Sequence, residues 1–262
     1  GTMMAGVASI HAIGAAYAEL NDTSKRHGVK QVDRLLSNAK VPFAELMKLW
    51  AQFVIGPARR EVVIALDWTD YDADDHSTLC AYTATNHGRA TPLYWKTVRK
   101  SMLADQRTQI EHAFIEDLDD MLPGGLRVVL LADRGFGDQK FYELLAALGW
   151  DYVIRFRGNI LVTTEDGTTL PAQDRVAPNG RAMMFKNARV TGDRAPVPAV
   201  VTVKAARMKE AWCLAASLQD RTAREVVELY GKRFTIEESF RDKKDLHFGL
   251  GLKATHIKSA DR

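Results

Sequence analysis

The sequence has few of the features that mark secreted, membrane-bound or zinc-binding proteins. It contains 2 cysteines in 262 residues. Cys80 and Cys213 are too few for a zinc cage and lie among apolar residues, so we expect buried, reduced thiols. No apolar run approaches the roughly 18 residues of a membrane-spanning helix, and no basic segment followed by an apolar run opens the chain. The sequence therefore predicts a cytoplasmic globular protein with no membrane partner.

Charge is unevenly distributed along the chain, although the net charge is only +3. Residues 22–60 carry eight Lys and Arg against three acidic residues, 63–150 carry 14 acidic against 8 basic residues, and 221–262 carry 10 basic against 7 acidic residues. Basic ends around an acidic centre suit a nucleic-acid enzyme whose carboxylates are neutralised by metal. Solvated helix faces account for the same distribution, so both interpretations stay open.

The first sixty residues predict a helical, basic subdomain over 4–60. Apolar residues recur there at helical spacing over 7–20, 29–38 and 41–54. Its excess of basic residues is suited to contacts with DNA phosphates. We expect this subdomain either to bind DNA ends or to pack on the rest of the protein.

The rest of the chain predicts an α/β fold with a mixed sheet and flanking helices. Apolar, β-rich runs alternate with helical ones over 61–157, which indicates the first part of an α/β core. Short β-type runs separated by Gly- and Pro-containing turns over 158–218 predict a mostly β insertion. Residues 219–262 return to the core with one long helix over 223–244, followed by a basic tail.

Two predicted strands each end on an aspartate. The apolar run 62–66 precedes Asp67, and the run 128–132 precedes Asp133. Ligand sites in open α/β sheets gather at the ends of strands. A single aspartate in this position is also common as a cap or turn residue, but two of them behind buried strands favour a shared site.

The last predicted helix carries a row of functional side chains. Tyr230, Arg233, Glu237 and Lys244 lie at offsets of 0, 3, 7 and 14 residues, which aligns them on one helical face. That face would offer a hydroxyl, a bidentate phosphate donor, a metal-ligating carboxylate and an ammonium group. The alternative is an ordinary charged helix face. Glu238 lies one residue off the row and points about 100° away.

This row resembles the YREK signature of bacterial insertion-sequence transposases of the DDE type, the insertion-sequence type 4 family. The segments ALDWTD (65–70) and LADRGF (131–136) are also similar to that family's two aspartate segments. The resemblance implies an RNase H-like mixed sheet, interrupted by a β insertion before the glutamate. It spans about 60–258.

The resemblance also implies roles for individual residues. Asp67, Asp133 and Glu237 would be the catalytic acids and would bind two Mg²⁺ or Mn²⁺ ions. Tyr230, Arg233 and Lys244 would hold the phosphates of the transposon end. Two divalent ions with hard oxygen ligands can activate the attacking oxygen, neutralise charge at phosphorus and stabilise the leaving 3′ oxygen.

The expected reaction is hydrolysis at the transposon end, followed by attack of the freed 3′-OH on the opposite strand or on target DNA. Two alternatives remain open: an RNase H-like nuclease that cuts without strand transfer, and a non-catalytic DNA-binding relative. The second alternative is disfavoured because a binding module has no need of three converging carboxylates.

Several other residues are weaker candidates for DNA contact. A hairpin intermediate with a flipped base needs an aromatic wedge, for which Trp212 and Trp68 are candidates, with core packing as the alternative. Arg134 follows the second aspartate and would either contact a phosphate or brace that loop. Arg155 and Arg157 alternate with apolar residues and could face a DNA channel.

The expected partner is double-stranded DNA, both the terminal inverted repeats and the target, at the bacterial nucleoid. Similar proteins continue past the segment equivalent to 250–262 into helices that help build a synaptic dimer. We therefore expect a dimer in the synaptic complex and weak or no dimerisation without DNA. The acidic stretch 72–75 predicts a solvated hairpin turn, since the spacing of a calcium loop is absent.

Overall fold

The computed structural model describes residues 2–247, 249–252, 255 and 257–260. Each helix predicted in the first sixty residues is present. The helices of this region are α1 (Thr2–Ala5), α2 (Ile10–Leu20), α3 (Lys25–Leu36) and α4 (Phe43–Ile55). Four more follow: α5 (Arg107–Met121), α6 (Gln139–Ala147), α7 (Ala223–Gly231) and α8 (Phe234–Lys244).

Within the described residues, ten strands form one mixed sheet. They are β1 (Glu61–Tyr71), β2 (His76–Thr83), β3 (Thr91–Arg99), β4 (Arg127–Ala132), β5 (Asp151–Phe156), β6 (Leu161–Thr163), β7 (Thr169–Pro171), β8 (Met183–Val190), β9 (Ala195–Val203) and β10 (Trp212–Ala216). Their spatial order is β3-β2-β1-β4-β5-β10-β9-β8-β6-β7. Strands β1, β4 and β5 are parallel, and the other pairs are antiparallel. This arrangement confirms the predicted RNase H-like α/β fold.

The strands predicted after residue 158 continue the same sheet. Strand β10 pairs with β5 on one side and with β9 on the other, antiparallel in both cases. Strands β8, β6 and β7 extend the sheet beyond β9. The backbone groups of β5 are therefore hydrogen-bonded on both sides. Strand β10, which directly precedes the last two helices, lies next to the core strand β5.

Helices cover both faces of the central strands. Ile64 and Leu66 of β1 pack with α4, α5 and α6, whereas Ala65 between them packs with α8. Leu130 and Leu131 of β4 divide in the same way between the two faces. Side chains alternate across a strand, so a strand that is covered on both faces has a continuous apolar sequence.

The first aspartate does not end its strand, contrary to the prediction. β1 continues through Asp67 to Tyr71, because β2 pairs with it along its whole second half. A tight turn at Asp72–Asp74 joins the two strands, with Asp75 in a left-handed conformation (φ 55°). The predicted hairpin turn is therefore present, and Asp67 lies inside the strand opposite Cys80.

The single helix predicted over 223–244 is two helices. α7 ends at Gly231 and α8 begins at Phe234. Glycine is a poor helix former, and the backbone N–H of Arg233 bonds the Tyr230 carbonyl three residues back at 3.0 Å. The chain thus tightens at 232–233 and resumes as α8. The predicted basic tail falls partly outside the described residues.

Both cysteines are buried and unpaired, as predicted. Burial raises the pKa of Cys80 to about 12 and that of Cys213 to about 11. In the described part of the chain, no helix has the length and apolar character needed to cross a membrane.

Helices α2 and α3 cross at two glycines. A Cβ atom on Gly28 would overlap the carbonyl oxygen of Gly14, and one on Gly14 would lie 2.5 Å from the Cα of Val29. The two backbones can approach this closely only because neither residue has a side chain.

We predict that Gly28→Ala loosens the α2–α3 pair, although alanine has the higher helix propensity. The added methyl collides with the backbone of α2, and overpacking of this kind costs about 1–3 kcal/mol. Hydrogen exchange of the α2 and α3 amides should accelerate. Gly124→Ala is the matched control, because a Cβ there meets open space. Unchanged exchange in Gly28→Ala would show that the helices do not cross here.

Candidate active site

The parallel register of β1 and β4 brings the two aspartates together. Leu66 pairs with Ala132, and the next residues on the two chains are Asp67 and Asp133. Helix α8 packs on the same part of the sheet and carries Glu237 in its first turn. Three carboxylates that are far apart in the sequence therefore meet at one edge of the central strands.

Arg233 joins two of these carboxylates. Its Nη1 donates to Oδ2 of Asp67 at 3.0 Å, and its Nη2 donates to Oε1 of Glu237 at 2.5 Å. Arg233 is buried, and its Cζ lies 4.8 Å from the ring centroid of Phe234 and 5.9 Å from that of Tyr230. The guanidinium thus connects the middle of β1 to the start of α8.

The three carboxylates influence one another electrostatically. The pKa of Asp67 is raised to about 6, mainly by burial. The positive charge of Arg233 opposes this rise, whereas the negative charges of Asp133 and Glu237 add to it. Asp67 therefore lies in an anionic cluster that one arginine neutralises only in part.

Asp133 is fixed in place by the backbone that follows it. Its Oδ1 accepts the N–H of Gly135 at 2.7 Å and caps a 3₁₀ turn over Arg134–Phe136. A Cβ on Gly135 would lie 3.0 Å from that same oxygen, so a side chain there would crowd the aspartate. The turn buries Phe136 and leaves Arg134 exposed, 3.9 Å from Glu210.

The predicted row of the last helix is preserved in part across the break. Tyr230, Arg233 and Glu237 form a connected group, but Tyr230 is fully buried, and its hydroxyl has no hydrogen-bond partner among the described residues. Lys244 lines the same cleft as Glu237, with its Nζ 5.1 Å from the ring centroid of Tyr71. Glu238, the next residue after Glu237, pairs with Arg241 at 2.9 Å.

The two candidate wedge residues both pack against other side chains. The indole of Trp68 donates to Oε1 of Glu111 at 2.7 Å. The ring of Trp212 lies 5.0 Å from the ring of Tyr230 and 5.7 Å from that of Phe234, centroid to centroid. These contacts correspond to the packing alternative for each residue.

The two arginines of β5 and the loop after it differ in exposure. The side chain of Arg155 is mostly covered and pairs with Glu210 at 2.7 Å. Arg157, just beyond the end of β5, is exposed. Neither arginine contacts the three carboxylates in the described contacts.

A cleft of about 520 Å³ opens beside Asp67 and Glu237. Its lining includes three cations that the sequence analysis did not single out: Lys100, Arg107 and Arg241. They come from separate elements and form no sequence motif, so only the folded chain brings them to the site.

Asp70, three residues beyond Asp67 in β1, is already neutralised. Asp70 accepts from the Lys100 ammonium at 2.7 Å and from the Ser77 hydroxyl at 2.7 Å. Partial burial alone would raise the pKa of Asp70, but these two hydrogen bonds outweigh it and hold the pKa below its usual range. Asp70 is therefore engaged as a structural partner of Lys100.

The carboxylates fit a divalent cation in chemical type, but they are not yet arranged around one. Among the described residues, no group of three or more His, Cys, Asp or Glu side chains is positioned to hold a metal ion. Arg233 occupies the place of a cation between Asp67 and Glu237. Hard oxygen donors with an excess of negative charge are what Mg²⁺ or Mn²⁺ requires, so the donor set fits.

A family model described as a transposase DDE domain matches residues 58–260. The matched range starts just after α4 and includes β1, β4 and α8, and therefore all three carboxylates. No curated protein matches the chain.

The raised pKa of Asp67 predicts a specific pH dependence of stability in metal-free protein. The folded protein holds this proton more tightly than the unfolded chain, so the resulting stabilisation is complete below pH 3.8 and is lost as the pH rises through about 6. A rise in pKa from 3.8 to about 6 corresponds to roughly 3 kcal/mol. Relative to Asp67→Asn, the wild type should therefore lose melting temperature between pH 4 and 7.

The control for this measurement is Asp70→Asn. It removes a carboxyl whose pKa lies below its usual range, so the wild type should not lose melting temperature relative to this variant as the pH rises from 5 to 7. A difference between wild type and Asp67→Asn that does not vary with pH would mean that Asp67 titrates normally.

Proposed function

Since the chain belongs to the transposase DDE domain family, we propose that it is a cut-and-paste DNA transposase that hydrolyses transposon-end phosphodiesters and joins the freed 3′-OH to target DNA. The family consists of DNA-binding enzymes of the polynucleotidyl transferase type, which generally use divalent metal ions. The observation that carries the proposal is the convergence of Asp67, Asp133 and Glu237 at one edge of the sheet.

We propose that these three carboxylates hold two Mg²⁺ or Mn²⁺ ions. When bound, the ions would supply activation of the attacking oxygen and neutralisation of charge at phosphorus. The chain orients the ligands in different ways. Backbone N–H groups fix Asp67 and Asp133 through Trp68 and Gly135. The half-exposed Glu237 lies on a helix and has more freedom to adjust its oxygens.

The row on α7 and α8 supports membership of the insertion-sequence type 4 family within this larger family. We propose that Arg233 and Lys244 bind phosphates of the transposon end, and that Arg134 contacts a phosphate beside Asp133. The buried Tyr230 supports Arg233 from beneath, and a direct contact of its hydroxyl with DNA would require the ring to be uncovered. Trp212 would likewise have to leave its ring contacts to act as a wedge.

The roles that we propose for the segments of the chain use the segment boundaries predicted from the sequence. Residues 4–60 would bind the terminal inverted repeat, 61–157 and 219–262 would form the catalytic core, and 158–218 would extend the sheet beside it. Synapsis of two transposon ends would bring two copies of the chain together on DNA. The exposed basic residues of α3, among them Lys25, Arg26 and Arg34, support a DNA contact for the first segment.

A nuclease that cuts without strand transfer would use the same carboxylates. The two functions differ in product, because strand transfer covalently joins the 3′ end of the element to a second duplex. Incubation of a labelled end duplex with a supercoiled target plasmid distinguishes them. A labelled plasmid product supports the transposase, whereas nicked end duplex alone supports the nuclease.

We predict that Glu237→Gln lowers metal-dependent nicking of the terminal repeat by at least about 10²–10³-fold, as expected when a group that stabilises developing charge is removed. The variant keeps the shape of the side chain and the hydrogen bond to Arg233, but it loses the charge that a divalent ion needs. Initial nicking rates are measured with Mg²⁺, with Mn²⁺ and with excess chelator.

Glu228→Gln is the matched control for this substitution. Glu228 also pairs with the arginine four residues before it, Arg224, at 2.7 Å, but this pair is exposed on α7. Nicking by Glu228→Gln should equal that of the wild type. If Glu237→Gln nicks at the wild-type rate, Glu237 is not part of the active site.

We predict that Arg233→Gln binds Mn²⁺ more tightly than the wild type in the absence of DNA. A metal ion and the Arg233 guanidinium compete for the same carboxylates. When the arginine occupies the site part of the time, the apparent affinity of the site for metal is reduced in proportion. The gain should be at least about tenfold, the size of effect that neighbours of metal ligands commonly have. Free Mn²⁺ can be counted by electron paramagnetic resonance.

Arg224→Gln provides the control for metal binding. Arg224 also pairs with a glutamate four residues ahead, Glu228, at 2.7 Å, but this pair is exposed on α7. Its Mn²⁺ affinity should match that of the wild type. Weaker or equal Mn²⁺ binding by folded Arg233→Gln would mean that the arginine assists the metal or does not compete with it.

A further inference from the structure

We propose that Arg107, held by the buried carboxylate of Glu111, binds a phosphate of the DNA strand in the cleft beside Asp67 and Asp133. The inference rests on the proposed function, and it adds a DNA-binding residue from an element outside the predicted site. Arg107 is the first residue of α5 and lines the same cleft as Asp67 and Glu237.

The guanidinium of Arg107 lies near the turn that Asp133 caps. A Cβ atom on Gly135 would lie 3.4 Å from Nη2 of Arg107 and 3.0 Å from Oδ1 of Asp133. Both groups therefore border the same small space in front of the Gly135 backbone.

Glu111 orients this guanidinium from behind. Its Oε1 accepts from Nε of Arg107 at 2.9 Å and from the indole N–H of Trp68 at 2.7 Å. Glu111 is only 6% exposed, and a buried carboxylate is stable only when it is paired and hydrogen-bonded. Because Glu111 engages the Nε position, the two terminal Nη groups project beyond it.

Two aromatic rings lie beside the same group. The Cζ of Arg107 lies 5.6 Å from the ring centroid of Trp68 and 6.0 Å from that of Phe136. Trp68 directly follows Asp67, and Phe136 belongs to the turn capped by Asp133. The arginine is therefore held by residues from both aspartate segments and should keep its position when DNA enters.

Arg107 differs from two neighbouring cations in how its donors are engaged. Lys100 bonds Asp70 and Asp72 at 2.7 and 2.6 Å. The Nη groups of Arg233 are used by Asp67 and Glu237. In the described contacts, Arg107 hydrogen-bonds through its Nε alone, and its side chain is 43% exposed. Its two terminal Nη donors match the bidentate geometry of a phosphate.

The salt dependence of DNA binding tests this inference. Each phosphate contact releases counterions, so Arg107→Gln should make the slope of log affinity against log salt shallower by about one. Two duplexes of equal length are titrated in chelator, one with the terminal inverted repeat and one unrelated. Affinity for both should fall equally, because a phosphate contact carries no sequence information.

Three further variants separate the phosphate contact from a structural role. Arg107→Lys keeps the charge but loses the fork, so it should keep the wild-type slope with weaker binding. Glu111→Gln keeps an acceptor for the Trp68 indole but weakens the bond to Arg107 by removing the charge, so it should also bind more weakly with an unchanged slope. Arg224→Gln, which alters an exposed pair on α7, should match the wild type in both affinity and slope.

Wild-type slope and affinity in folded Arg107→Gln would overturn the inference. If that variant does not fold, wild-type affinity in Arg107→Lys would overturn it instead. The proposed function is tested separately by nicking: Glu237→Gln can abolish nicking while Arg107→Gln binds DNA normally, in which case only the role of Arg107 fails. In the reverse result, the wild type shows no nicking but Arg107→Gln still changes the salt slope. Arg107 would then be a DNA contact, and the proposed enzymatic function would be refuted.

Discussion

The guanidinium of Arg233 lies between the carboxylates of Asp67 and Glu237 and joins the centre of the sheet to helix α8. Buried ion pairs contribute little net stability, but removal of one partner typically costs about 3–5 kcal/mol because a charge is left uncompensated. The position of α8 is therefore coupled to the charge balance of the cleft. If another cation replaces the arginine beside these carboxylates, the buried guanidinium needs a new anionic partner.

The same interaction accounts for the shape of the last two helices. Gly231 weakens the helix, the backbone tightens at 232–233, and Arg233 turns inward to meet Asp67. Tyr230 packs beneath the arginine and contacts Trp212, which links this region to β10. The row of residues that looks in the sequence like a DNA-binding face is therefore also part of the internal structure of the site. If Asp67 and Glu237 bind metal as proposed, DNA phosphates would be suitable new anionic partners for Arg233.

The features that could be predicted from the sequence are those with a local signal. β4 is buried on both faces, so its sequence is continuously apolar up to Asp133. The extent of β1 could not be predicted in this way, because its second half is polar and is held in the sheet by pairing with β2. The break before α8 follows Gly231, but a single glycine does not by itself end a helix, and the contact between Arg233 and Asp67 that accompanies the break joins residues that are distant in the sequence. Arg107 and Glu111 were missed because their relation to Trp68 arises only when α5 packs on the sheet.

An active site for DNA must satisfy two opposing electrostatic requirements. It needs an excess of carboxylates to bind divalent cations, and it must also admit a polyanion, which those carboxylates repel. Under the proposals made here, two arginines would meet these requirements in different ways. Arg233 partly neutralises the acids from within the protein, where it is almost inaccessible to solvent. Arg107 pairs through its Nε with its own buried carboxylate and keeps its Nη donors for a phosphate, so it would contact DNA without pairing with the proposed metal ligands. Separation of the two arginines would let one cleft bind metal and DNA together.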